Sequence, residues 1–196
     1  MHNFAPGNHF VPSNYGPVFG PLVDVDRCRS LGAGSPETGV RAALQRATLA
    51  TAFSHAEVVD LEMARCCLAG MWLLHDYLDQ SHAICQHVET PSGSFWHGVM
   101  HRREGDFSNA KYWFRRVGDH EVLTLLGPRA IELAGSDDQG VAHRVAPRGV
   151  FAAEAMVDAC QSAVRSGTDA DFCRRVQQAE WELLFDHCYR HAVGAR

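Results

Sequence analysis

From Val40 onward the apolar residues recur at intervals of three and four, the period of a helix that buries one face, and strand-like alternation is nearly absent. Ser35-Pro36-Glu37 predicts a helix start, with Ser as cap and Pro at the first position, and that helix runs to about Phe53. Ser54 with Glu57 three residues later forms a capping box and opens a second helix. Its seam is Ala64, Cys67, Leu68, Met71, Leu74, His75, Leu78, Ser81, His82 and Cys85, carrying it to Val88 with an interruption expected at Gly70. Pro91-Ser92-Gly93 is a break. Helices over about 94–104 and 108–117 follow, joined by a Gly105-Asp106 turn, and then one over 119–134 bent near Gly127-Pro128. Residues 135–148 read as a loop, and the last two helices cover about 150–165 and 169–192. The expected fold is all-α, a compact bundle of about six to seven helices formed by residues 40–196.

Residues 1–39 hold five Pro, six Gly and three Asn without an apolar period, so no regular helix is expected there. Phe4, Phe10, Tyr15, Phe19 and Leu22 are nonetheless too apolar for a solvated tail. An extended arm that packs across its own domain, or joins two subunits as a homodimer, fits both facts.

The composition narrows the classes of function. With 46% hydrophobic and 21% charged residues the chain is ordinary for a globular protein, and its net charge of -5 argues against a dedicated nucleic-acid binder. No apolar run approaches the roughly 18 residues of a spanning helix, and the first ten residues lack the basic and apolar regions of a secretory signal. Seven cysteines, an odd number with no C-x-x-C pair, read as free thiols of a reduced, cytoplasmic protein, with vicinal Cys66-Cys67 as a minor redox alternative. Nucleophile-elbow, P-loop and dinucleotide fingerprints are absent, which disfavours Ser-triad, NTP and NAD chemistry.

Histidine carries the main chemical signal. Five of the twelve (His75, His82, His87, His97 and His101) fall within 27 residues on two helices separated by a short break. His97 and His101, at i and i+4, share a helical face that Glu104 continues, and His75, Asp79, His82 and Gln86 form a stripe on the preceding helix. If the helices pack antiparallel, Asp79, His82, His97 and His101 converge as ligands for a divalent transition metal such as Zn, Fe or Mn, with His101 and Glu104 as catalytic acid–base candidates. The same side chains also suit a polar pocket without metal, or a structural role. Nearby, Arg102, Arg103 and Arg116 are candidate clamps for a small anionic substrate, beside Tyr112, Trp113 and Phe114. The plainer alternative pairs Arg102 or Arg103 with Glu104, Asp106 or an acid of the C-terminal helix. On that last helix Glu182, Asp186 and Tyr189 share one face, and His187 and His191 another.

Two further patterns point elsewhere. Gly98, Gly105, Ala110 and Phe114 match the spacing of one tetratricopeptide hairpin, which implies two closely packed antiparallel helices and suits a non-catalytic binding or scaffold protein. His55 followed by His75-Asp76 resembles the HD phosphohydrolase pattern, which implies metal ligation by those three residues with Asp186 as a distant fourth.

The run Phe95-Trp96-His97-Gly98-Val99-Met100-His101-Arg102-Arg103-Glu104-Gly105-Asp106-Phe107-Ser108-Asn109-Ala110-Lys111-Tyr112-Trp113-Phe114-Arg115-Arg116-Val117-Gly118 resembles a family of uncharacterised helical proteins of bacteria and fungi. The stretches 75–82 and 180–190 resemble the same family. No activity is established for it, so the resemblance implies a helical fold and no mechanism. The combined expectation is a metal-dependent enzyme, a hydrolase or a user of oxygen or redox chemistry, acting on a small anion.

Overall fold

The computed structural model describes residues 10–195. Among them there are eleven α-helices and no strand: α1 Gly16–Val23, α2 Arg41–Arg46, α3 Leu49–Ala52, α4 Leu61–Leu74, α5 Leu78–Cys85, α6 Pro91–Glu104, α7 Phe107–Val117, α8 Glu121–Glu132, α9 Gln139–Val145, α10 Ala153–Ser166 and α11 Ala170–Ala192. The all-α class holds, but the helices outnumber the expected six or seven because two long expected helices are each divided and two more, α1 and α9, form in segments expected to be irregular. The first nine residues of the arm lie outside the described part.

The expected second helix shows how local chemistry divides it. The Ser54 hydroxyl donates backward to the Thr51 carbonyl at 3.0 Å and caps nothing ahead. Thr48 and Thr51 form the capping box instead, for the four-residue α3. The Asp60 carboxylate accepts from the Glu62 and Met63 N–H groups and so starts α4 at Leu61. The break then falls at Asp76, whose φ of 63° no helix accommodates, and not at Gly70. Gly70 serves close packing: a Cβ there would lie 2.6 Å from the Trp96 ring, and its carbonyl accepts from Trp181 Nε1 at 3.0 Å. All seven cysteines are free, and all but Cys28 are buried.

The arm also departs from expectation, since Pro12–Tyr15 forms a 3-10 turn and Gly16–Val23 a helix. Phe19, Leu22 and Val23 are buried, with Phe19 edge-on to Phe53 and Phe185 at 5.3 and 5.5 Å. Burying these side chains against α3, α4 and α11 outweighs the weak helix propensity of a Pro- and Gly-rich segment. Residues 135–148, expected as loop, contain α9 for a similar reason: Val141, Ala142 and Val145 are all buried.

At the centre lies α6, with 12 of its 14 residues buried and with α4, α5 and α7 packed around it. Thr90 caps its start and Gly105, at φ 95°, its end. A two-residue turn reverses the chain into α7, and the pairs His101/Asn109, His97/Trp113 and Phe95/Phe114 give the antiparallel register. Gly98 makes the approach close, since a Cβ there would lie 3.1 Å from the Phe114 ring. The longest helix, α11, crosses α4, α8 and α10.

Candidate metal centre

The break at Asp76 sets α5 at a new angle against α6, and three imidazoles meet at that contact. His82 comes from α5, and His97 and His101 come from successive turns of α6. One ring nitrogen from each lies within 4.8 Å of the other two. Ring centroids are 4.8 Å apart for His82–His97, 5.3 Å for His82–His101 and 4.8 Å for His97–His101. His97 is 3% exposed and His101 7%, while His82 is partly buried and forms the open side.

The three differ in how their nitrogens are used. The side chain of Glu104, an acceptor, lies 3.0 Å from His101 Nδ1, so that nitrogen carries the proton. His101 Nε2 then accepts from the Asn109 amide at 3.0 Å. His97 stacks on Trp113 at 3.9 Å and 20°, and neither of its buried ring nitrogens has a hydrogen-bond partner. Leaving two polar atoms unmet in a buried ring is costly, which makes His97 the residue that most needs a ligand. Burial, followed by repulsion from His101 and His82, pushes its pKa down to about 3. Burial also lowers that of His101, against the opposing pull of Glu104. Both rings are therefore neutral at pH 7, the form that coordinates a metal.

Of the expected ligands, His82, His97 and His101 are brought together and Asp79 is not. Asp79 lies in the first turn of α5, one turn before His82, and is exposed, while the break at Asp76 separates His75 from both. Glu104 is exposed and bonded to His101, so it orients that ring in the manner of a carboxylate behind a metal-bound histidine. Asn109 and the stacking role of Trp113 were not anticipated. Only the antiparallel register, in which 109 faces 101 and 113 faces 97, carried that signal.

The anion clamp needs correction. Arg102 is fully buried in a two-pronged ion pair with Glu180 of α11, equally buried, with Nη1 3.1 Å from Oε1. Burial opposes the charge of Arg102, and the Glu180 carboxylate outweighs that cost, so its pKa lies above the ordinary value. Arg103 donates to Asp76 at 2.6 Å and to the Gly32 carbonyl at 2.7 Å. Neither fork is free for a ligand. Arg116 alone of the three is exposed, its guanidinium 5.4 Å from the centre of the Trp113 ring and 5.8 Å from that of Tyr112.

The HD-like residues do not converge. His55 bonds the Tyr189 hydroxyl at 2.7 Å, and His75 Nε2–H donates to the Leu22 carbonyl at 2.8 Å. Asp76 is held by Arg103, by Arg29 at 2.8 Å and by the Ser35 N–H at 3.2 Å. Asp186 accepts from Tyr15 and Arg190 at 3.0 and 2.8 Å. The His75-Asp76 dipeptide thus ties residues 22–35 to α6.

Among the described residues no helix is long and apolar enough to cross a membrane. No family model, curated protein or solved structure matches the chain.

Proposed function

We propose that His82, His97 and His101 bind a divalent transition metal with open coordination positions, and that the chain is a metal-dependent enzyme acting on a small anionic molecule. Three imidazoles favour Zn or Fe over Mn, which prefers carboxylate oxygen. A metal held by three protein ligands leaves room for water, and its Lewis acidity makes that water a nucleophile at neutral pH, so hydrolysis is the reaction class favoured. Glu104 orients His101, Trp113 fixes His97, and Arg116 supplies the one exposed cation of the proposed anion subsite. The carrying observation is His97, buried with both ring nitrogens unpaired between two other imidazoles.

The packing of His97, stacked on Trp113 and His101 and edge-on to His82, also supports a second reading, in which the rings are a packing element of a non-catalytic scaffold. Metal analysis of untagged protein separates the two. The metal reading expects about one equivalent of Zn or Fe lost in His97→Ala. Less than about a tenth of an equivalent, with thermal stability unchanged by added Zn or Fe, would leave only the scaffold.

A further inference from the structure

We propose a second metal site, formed by Glu121 at the start of α8 with His187 and His191 on one face of α11. One donor atom from each lies within 4.8 Å of the others. His187 and His191 are one turn apart, with ring centroids 4.3 Å apart. His187 Nδ1 is buried and has no hydrogen-bond partner, although Glu121 Oε2 is only 3.3 Å away. The two atoms therefore face each other without the alignment of an N–H···O bond. That separation matches the ligand–ligand edge of a tetrahedral site, about 3.3–3.4 Å for bonds of roughly 2.0–2.1 Å.

The neighbouring groups are committed elsewhere, which limits the donor set to these three. The His120 ring lies 4.6 Å from that of His187, but its Nδ1 accepts from the Val122 N–H at 3.2 Å, which leaves Nε2–H to donate to Ser92 Oγ at 2.9 Å. Asp186 is taken by Tyr15 and Arg190. Two imidazoles and one carboxylate suit Zn or Fe(II) and leave positions open for an exogenous ligand.

Such a ligand has a place to lie. A cleft of about 690 Å³ between α8, α11 and the Pro12–Tyr15 turn counts Glu121 and His187 among its lining residues. Phe10, Val122, Leu125 and Leu183 supply its apolar wall. Three of its charged pairs, Arg27–Glu182, Arg190–Asp186 and Arg129–Glu132, are internally neutralised at 2.8, 2.8 and 3.1 Å. That lining suits a small, largely apolar molecule whose single oxygen donor reaches the metal.

Full-length untagged protein, stripped with a chelator and titrated with Zn²⁺ and with Co²⁺ as a spectroscopic probe, tests the site. Two equivalents are expected. His191→Ala and Glu121→Gln, both at exposed positions, should each remove one equivalent or weaken it by about 100-fold. His97→Ala should keep that equivalent and lose the other. If wild type, His191→Ala and Glu121→Gln bind the same number of ions with affinities within threefold, the second site is refuted, whatever His97→Ala does. Loss in His191→Ala but not in His97→Ala would uphold this site and remove the first.

Discussion

Removing either partner of the Arg102–Glu180 pair should destabilise the fold severely, whereas removing both should not. The two side chains are fully buried, and between them they join α6 to α11. Arg102→Met leaves a carboxylate, and Glu180→Leu a guanidinium, without counter-charge or water. Such a loss costs about 3–5 kcal/mol. For a chain of this length each kcal/mol moves Tm by about 2–4 °C, so each single variant should melt about 6–20 °C lower. The double variant replaces the pair by apolar volume and also removes the unpaired Arg102 Nε, so it should recover to within about 2 kcal/mol of wild type. Urea unfolding followed by circular dichroism on all four proteins closes the cycle, with an expected coupling of about 3 kcal/mol or more. Single variants costing under about 1 kcal/mol, or a double variant that merely sums the two, would refute the reasoning.

Three other outcomes follow from the same geometry. Gly127→Ala should cost more than Gly70→Ala in chemical denaturation, because the new Cβ meets the Gly149 carbonyl oxygen at 1.9 Å and no side-chain adjustment relieves it; overpacking of about 1–3 kcal/mol is expected at Gly70 and the upper end or beyond at Gly127. Burial lowers the pKa of His75, opposed by the hydrogen bond to the Leu22 carbonyl, with Arg29 adding to the effect against Glu37 and Asp76, so the unfolded chain binds a proton at higher pH than the fold does. Its contribution is therefore complete above about pH 6.5 and lost as pH falls, by at most about 1.4 kcal/mol per unit. In chelator, His75→Gln, which keeps a donor for the Leu22 carbonyl, should lose stability more slowly than wild type between pH 6.5 and 5; identical slopes would contradict this. Finally, Asn109→Ala frees His101 Nε2 and should leave Zn affinity equal or raise it up to about tenfold in a competition titration, whereas a tenfold loss would mean that the amide supports the metal.

The parts of the site legible in sequence were those set by one helix at a time. His97 and His101 share a face because they lie one turn apart on an unbroken α6, and the Gly98–Phe114 approach followed from hairpin spacing. The left-handed Asp76 detached His75 from the stripe, whereas Asp79, on the same helix as His82, sits one turn earlier and is exposed. The plainer reading of the arginines held for Arg102, which pairs with an acid of the C-terminal helix 78 residues later, whereas the partner of Arg103 lies 27 residues earlier in a turn read as helix and carried no signal. The arm's helix at Gly16–Val23 was likewise hidden, since its stability comes from tertiary burial and not from local propensity. Glu121 carried no local signal at all, being joined to His187 and His191 only by the packing of α8 on α11.

The central claim rests on His82, His97 and His101 as metal ligands, and X-ray absorption at the metal edge of Zn-loaded protein tests it most directly. Wild type should show imidazole nitrogen at about 2.0–2.1 Å, with the histidine signature weakened and about one equivalent of metal lost in His97→Ala. A spectrum of fully hydrated zinc, or one unchanged by His97→Ala, would contradict the account.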